Sequence, residues 1–186
     1  VSSGRIDIGV IWCSNQRHRR SNGWAFPPNV RKHLQALTAG KRVGHLFGGH
    51  APWGTRLDID PVTHPHVRGD AWLPPFRKDA FDVVILDPPY VAINQHMKTQ
   101  LLMQAAFCAR EHVIWFHTLW IAADSKLRLE RAWLVRVGDS CFVRCIQMFR
   151  TPTVKRTPIP MFTRGPAIKY NRWLAGQTGL PFERSA

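Results

Sequence analysis

The stretch "FDVVILDPPYVAI", residues 81–93, decides how this chain reads. An apolar run ends abruptly in an acid, two prolines and a tyrosine. Residues 81–86 have the marks of a buried strand: short, rich in β-branched residues, and closed by a Pro-Pro breaker. Asp87, Pro88, Pro89 and Tyr90 then fall where that strand leaves its sheet. In open α/β sheets this edge is where ligands bind. It presents a carboxylate, a stiff carbonyl and a flat ring.

Three runs upstream end in a related way. "KRVGHLFGGHAPWG" (41–54) reads as a strand turning into a glycine loop, where Gly48 and Gly49 let backbone approach a ligand without a Cβ clash. "GTRLDIDP" (54–61) is a second strand with acids at its end. Asp58, followed by Ile59, is suited to accept two hydrogen bonds from a ribose diol, with Asp60 as the alternative. "HVRGDAWLPP" (66–75) holds a short third strand ending in Asp70, Ala71 and Trp72. That carboxylate can accept from an adenine amino group while the ring covers its face. One acid at a strand end is ordinary; such ends in succession ahead of Asp-Pro-Pro-Tyr are not. The Lys-Ser/Thr pattern of a phosphate loop is absent, which argues against a nucleoside triphosphate.

The remaining elements follow from spacing. "NVRKHLQAL" (29–37) is predicted as a helix with Asn29 as N-cap and Val30, Leu34 and Leu37 on one face. "MKTQLLMQAAFCAR" (97–110) is a second helix, burying Leu101, Leu102, Ala105 and Cys108. "HVIWFHTLWI" (112–121) is a strand and "DSKLRLERA" (124–132) a short helix. "WLVRVG" and "CFVRCIQMFR" form two strands joined by a tight turn at 138–140. The opening run "IDIGVIWC" (6–13) carries no assignment. Strands separated by crossovers imply a mainly parallel α/β sheet, here of seven strands, ending in an antiparallel hairpin. One domain is expected over 1–150, with a basic N-terminal segment at 1–28. Residues 151–186, rich in proline and basic residues, read as an extended tail or clamp with a short helix near 168–175.

Composition narrows the partners. The chain has 186 residues, 45% of them apolar, which suits one globular domain. Its net charge of +14 argues for an anionic partner, most commonly nucleic acid. Arg17, His18, Arg19 and Arg20 form the densest basic cluster, beside Trp24 and Phe26. Any one of them alone would be a solvated loop residue. As a group they are suited to grip phosphates and stack bases. No run is long enough to span a bilayer and no helix pairs a basic face with a wide apolar one, so no membrane partner is expected. The first ten residues lack a signal peptide's charged start and apolar block, so the cytoplasm is the expected compartment. Cys141 and Cys145 lie roughly 13 Å apart along a strand, too far to share a metal or a disulfide. Free thiols and no metal site are expected.

The chain resembles the S-adenosylmethionine-dependent amino-methyltransferases, whose signature is [D/N/S]-P-P-[Y/F/W]. The resemblance spans roughly residues 40–120, with the hairpin to 150 a possible extension: "HLFGG", "LDIDP", "GDAWLPPF" and "DPPY" match successive motifs in order and spacing. It implies a Rossmann-like methyltransferase fold. It also implies S-adenosylmethionine bound by His45, Phe47, Gly48, Gly49, Asp58, Ile59, Asp70, Ala71, Trp72 and Asp87. In the family, Asp87 accepts one N–H of an exocyclic base amine and the Pro88 carbonyl the other. Pro89 stiffens the turn and Tyr90 stacks on the base. The chain departs from the family at His45, where an acid is usual, and at Ala51, where a second glycine is usual.

The Asp form of the motif points to N6 of adenine in DNA. An RNA base, adenine N6 or guanine N2, is the alternative within the family. A weakly catalytic nucleic-acid binder on the same fold is the alternative outside it. Arg17, Arg19, Arg20, Lys155, Arg156, Arg164 and Lys169 are the contact candidates, mostly for phosphate. That predicts weak sequence readout, a short site, or help from a homo-oligomer.

Overall fold

The computed structural model describes residues 7–13, 26–88, 95–117, 127–137 and 143–153. Phe81–Leu86, strand β5, is buried at all six positions. A strand covered on both faces needs such a run, apolar here at every position but Asp82, which is paired with Arg42 and Arg110. Around it lie β1 (Asp7–Cys13), α1 (Pro28–Leu37), β2 (Val43–Leu46), β3 (Thr55–Asp58) and β4 (Val67–Arg68). After it come α2 (Gln95–Cys108), β6 (Ala109–His117), β7 (Arg128–Val137) and β8 (Val143–Arg150).

The strands form one sheet in the order β1-β7-β8-β6-β5-β2-β3-β4. β8 runs antiparallel to both of its neighbours, and the other pairings are parallel. The sheet therefore has eight strands rather than seven, and the one antiparallel strand lies near its end, third in the order. The additional strand is β1, the unassigned run, which pairs with β7 over its whole length.

Two apolar clusters pack on opposite faces. Leu46, Leu86, Leu101, Leu102, Ala105, Trp115 and Phe149 belong to the one that includes α2. Val30, Leu34, Val83, Ile85, Ile114, Phe116 and Ile146 belong to the one that includes α1. Both helices thus bury the faces their periodicity marks. Asn29 is not the N-cap. Pro27 takes that position and Pro28 opens the helix, where its missing N–H costs nothing. The Asn29 amide instead donates to the Trp12 carbonyl at 2.6 Å, tying α1 to β1.

Residues 128–132, expected to be helical, open the long strand β7. Glu130 sits at a register shift there and accepts from Arg128, Arg150 and His112. Burial alone would raise its carboxyl; those bonds outweigh it and hold it at about 2. Cys13, Cys108 and Cys145 are buried free thiols. No described helix is long and apolar enough to cross a membrane.

Candidate active site

The carboxyl ends of β2, β3, β4 and β5 lie side by side, and the motif residues leave the sheet there. Leu46 of β2 is the register partner of Leu86 of β5. Phe47 and Asp87 therefore start their loops as neighbours, one strand spacing of about 4.8 Å apart. The Asp87 N–H reaches the Leu46 carbonyl through a long contact of 3.5 Å. Asp87 is 6% exposed, and Pro88 is buried.

The connections in this half of the sheet are unusually spare. Parallel strands are ordinarily joined by a crossover of about a dozen residues or more, usually helical. Here residues 47–54 alone join β2 to β3, and residues 59–66 join β3 to β4 with only a 3₁₀ turn at Pro61–Thr63. Side chains supply the bonds that helices would have made. Asp58 accepts from the Gly49 N–H at 2.9 Å and the Asp60 N–H at 3.0 Å. Asp60 caps the 3₁₀ turn through the Val62 N–H, and Asp70 accepts from the Trp72 N–H at 2.9 Å. Arg56 donates to the carbonyls of Gly49, Thr63 and His64 at 2.8–2.9 Å, binding the glycine turn to the next loop.

The glycine turn is tight. A Cβ on Gly48 would lie 2.8 Å from the Arg56 Cβ, so only glycine fits beside β3. Phe47 has φ +61°, a left-handed conformation that costs an L-residue about 1–2 kcal/mol. Gly49, at φ +46°, takes the same region freely. Such strain persists where surrounding bonds over-determine it, often at ligand sites.

His45 stands apart from this surface. It is 1% exposed, lies edge-on to Trp53 at 4.7 Å, and bonds to the Trp53 backbone. Its Nε2 is buried with no hydrogen-bond partner among the described residues. Burial, reinforced by the Arg56 charge, pushes it down to about 3, so the ring is neutral. His45 thus anchors the far end of the glycine turn from beneath. Trp72 is likewise inside, 4% exposed, in the cluster that faces α2. Ala71 is buried and Ile59 half-buried beside it. Burial raises both Asp58 and Asp70 above the ordinary carboxylate value, with their backbone bonds working against it.

Pro89, Tyr90 and the basic candidates Arg17, Arg19, Arg20, Lys155, Arg156, Arg164 and Lys169 lie outside the described residues. Two residues the motif reading passed over stand out instead. Arg56 carried no signal beyond a lone base in a short strand. Lys98 carried one: it shares the helical stripe of Leu101, Leu102 and Ala105, where a charge is out of place.

Solved structures share this architecture. A chain from the Haloferax volcanii complex of the Trm112 methyltransferase activator with a "putative methyltransferase" matches with a TM-score of 0.53 and 13% identity, over 68% of this chain and 90% of that one. A "putative RNA methyltransferase" from Pyrococcus horikoshii matches with 0.51 and 15%, over 68% and 85%. The chain has the Rossmann-like methyltransferase fold. A third match, a "putative methyltransferase" from Escherichia coli, gives 0.50 and 14%, over 67% and 85%. No protein-family model and no curated protein sequence matches the chain. At these identities the methyltransferase fold is what is shared, and fold alone does not name a substrate.

Proposed function

We propose that the chain is an S-adenosylmethionine-dependent methyltransferase acting on an exocyclic amine of a nucleic-acid base, N6 of adenine in DNA first. One observation carries this reading. β2 and β5 are adjacent and in register, so the glycine turn and Asp87-Pro88 leave the sheet together. A cofactor held by the first would meet an amine held by the second.

The residues present fit S-adenosylmethionine. The Gly48 backbone approaches where no side chain fits, and the Asp58 carboxylate keeps lone-pair capacity beyond the backbone N–H bonds it accepts. Asp70 sits at the next strand end for an adenine amino group. When bound, the cofactor supplies an electrophilic methyl on sulfur. Asp87 and the Pro88 carbonyl each accept one N–H of the base amine. Two acceptors in a tetrahedral arrangement favour a pyramidal nitrogen and free its lone pair for in-line attack. Positioning supplies much of the rate. The proton leaves after transfer, when the nitrogen has become acidic. A base must leave its stack to reach this edge, and Tyr90 is the residue proposed to cover it. The basic clusters at 17–20 and in the tail would hold phosphates.

An RNA base is the second reading, favoured by the Pyrococcus horikoshii neighbour, a "putative RNA methyltransferase". Methyl transfer from labelled cofactor to DNA and to RNA, followed by digestion and mass identification of the nucleoside, separates them. N6-methyladenine from DNA is the expected product. Methylated nucleoside from RNA alone moves the assignment to RNA. None from either, with tight salt-sensitive binding, leaves a nucleic-acid binder.

A further inference from the structure

The corner of the sheet where β1 and β7 end carries a feature that neither the packing nor the motifs use. Trp12 of β1 is 61% exposed. The guanidinium of Arg136, its register partner on β7, lies over its ring at 5.1 Å from the centroid. With one face covered in this way, the remaining exposure leaves the other face of the indole open. Ile8, Val10 and Leu134 continue the exposed apolar strip down the same two strands. Single apolar residues are ordinary on a surface, but a contiguous strip marks a contact. Around the corner, the charged side chains among the described residues are all positive. Asn29, in the first turn of α1, bonds to the Trp12 carbonyl, and the exposed Arg31 and Lys32 follow it. Arg144 pairs with Val135 and acts electrostatically on Cys13, the residue after Trp12. No acid pairs with Arg31, Lys32 or Arg136 among the described residues. In the sequence, β1 leads directly into Arg17, His18, Arg19 and Arg20.

We infer that Trp12, backed by Arg136, is a stacking platform for an unpaired base of the nucleic-acid strand that flanks the target, with Arg31, Lys32 and Arg144 meeting its phosphates. This rests on the reading of the chain as a nucleic-acid methyltransferase and extends it to residues outside the motifs. The register places the platform on the same edge as the proposed site. Leu134 pairs with both Val10 and Cys145, and Cys145 pairs with His117. Trp115, two residues before His117, pairs with Leu86. Trp12 and Arg136 stand two residues beyond the Val10–Leu134 level, and so beyond the level at which Asp87 and Pro88 leave β5. Four strand spacings of about 4.8 Å, roughly 19 Å, separate β1 from β5 in the sheet order. At about 3.4 Å per stacked nucleotide, that is about five or six steps along a strand. An aromatic face among cations is how single strands are gripped without sequence readout. An apolar protein partner would fit Ile8, Val10 and Leu134 but leave the cations uncompensated. A nucleic-acid strand satisfies the ring and the charge together.

The test compares the wild-type chain with Trp12→Ala, Trp12→Phe and Arg136→Gln. The probes are a single-stranded DNA and an RNA of about 20 nucleotides and the matching DNA duplex. Binding is followed by fluorescence anisotropy across a salt series, and oligomeric state by sedimentation. Trp12→Ala is expected to weaken single-strand binding about tenfold with little change in the log–log salt slope, because it removes a stack and no charge. Duplex binding should fall much less, since paired bases do not offer a free face. Trp12→Phe should keep most of the affinity. Arg136→Gln should lower the slope by about 1. Unchanged single-strand affinity in Trp12→Ala, with wild type still transferring methyl groups, overturns the platform and leaves the enzyme reading intact. Equal losses on single strand and duplex also overturn it, because stacking on an unpaired base predicts a difference. Unchanged binding with a dimer turned into a monomer overturns it in favour of a second copy seated on β1. The expected losses in a chain that transfers no methyl group uphold the platform and remove the enzyme reading. Failure of wild type to bind any probe removes both.

Discussion

The two halves of the sheet are built on different principles. From β5 to β1, long strands are held by apolar packing: Trp115, Phe116, Ile146 and Phe149 are fully buried, and α2 and α1 close the two faces. From β2 to β4, strands of two to four residues are joined by loops. Those loops are held by Arg56, Asp58, Asp60 and Asp70 bonding to backbone. The first half is a scaffold and the second a loop cluster whose polar groups hold the fold and, under the proposed function, would also hold the cofactor. Mutations in the first half should therefore cost stability, and mutations in the second should cost binding.

The largest effect expected on stability is in the scaffold. Trp115→Ala should lose about 3–5 kcal/mol, read as a lowered urea midpoint. An equal loss from Arg56→Ala would erase the contrast between the halves. Arg56→Ala removes three bonds to carbonyls that turns and solvent can partly re-satisfy, so about 1–3 kcal/mol is expected. Its main effect should be on the glycine turn, as a tenfold or greater loss of cofactor affinity by calorimetry. Asp58→Ala should lose cofactor affinity to a similar degree with a smaller stability change, since it frees two backbone N–H groups near solvent.

A pH series sharpens the comparison. The two buried histidines bind fewer protons folded than unfolded, because burial lowers His45 to about 3 and His117 to about 4 from an ordinary 6.5. Stability is therefore complete above about pH 6.5. It should fall as pH drops toward 4, and further toward 3. His45→Gln should show a shallower loss across this window. An unchanged slope of urea midpoint against pH would mean that His45 titrates freely. The smallest effect concerns Asp58 and Asp70. Their raised values should make cofactor affinity weaken on acidification sooner than an ordinary aspartate would allow.

What the sequence disclosed follows the same division. β5 was legible because five apolar residues in six, interrupted only by Asp82, and a Pro-Pro stop leave one interpretation. α2 was legible because Leu101, Leu102, Ala105 and Cys108 keep helical spacing. β7 was misread as partly helical because its alternation is broken. The register shift at Leu129/Arg131 disturbs the pattern, and Ala132 and Val135, three apart, are both buried. β1 went unassigned because Ile8, Val10 and Trp12 remain exposed at the sheet edge, so burial does not mark them as a strand. In the site, the order of Gly48, Asp58, Asp70 and Asp87 was legible from motif spacing. The inward turn of His45 and Trp72 was not, because the shortness of the 47–54 connection shows its effect only when the loop folds back on β3. Arg56 answers that shortness and has no pattern of its own.

The central claim is that Asp87 holds the reacting amine beside a cofactor bound by the neighbouring strands. Its most direct test is Asp87→Ala, assayed in one preparation for cofactor affinity and for methyl transfer to nucleic acid. The account expects cofactor binding to persist while transfer falls by about two to three orders of magnitude. Transfer at the wild-type rate by Asp87→Ala would contradict it.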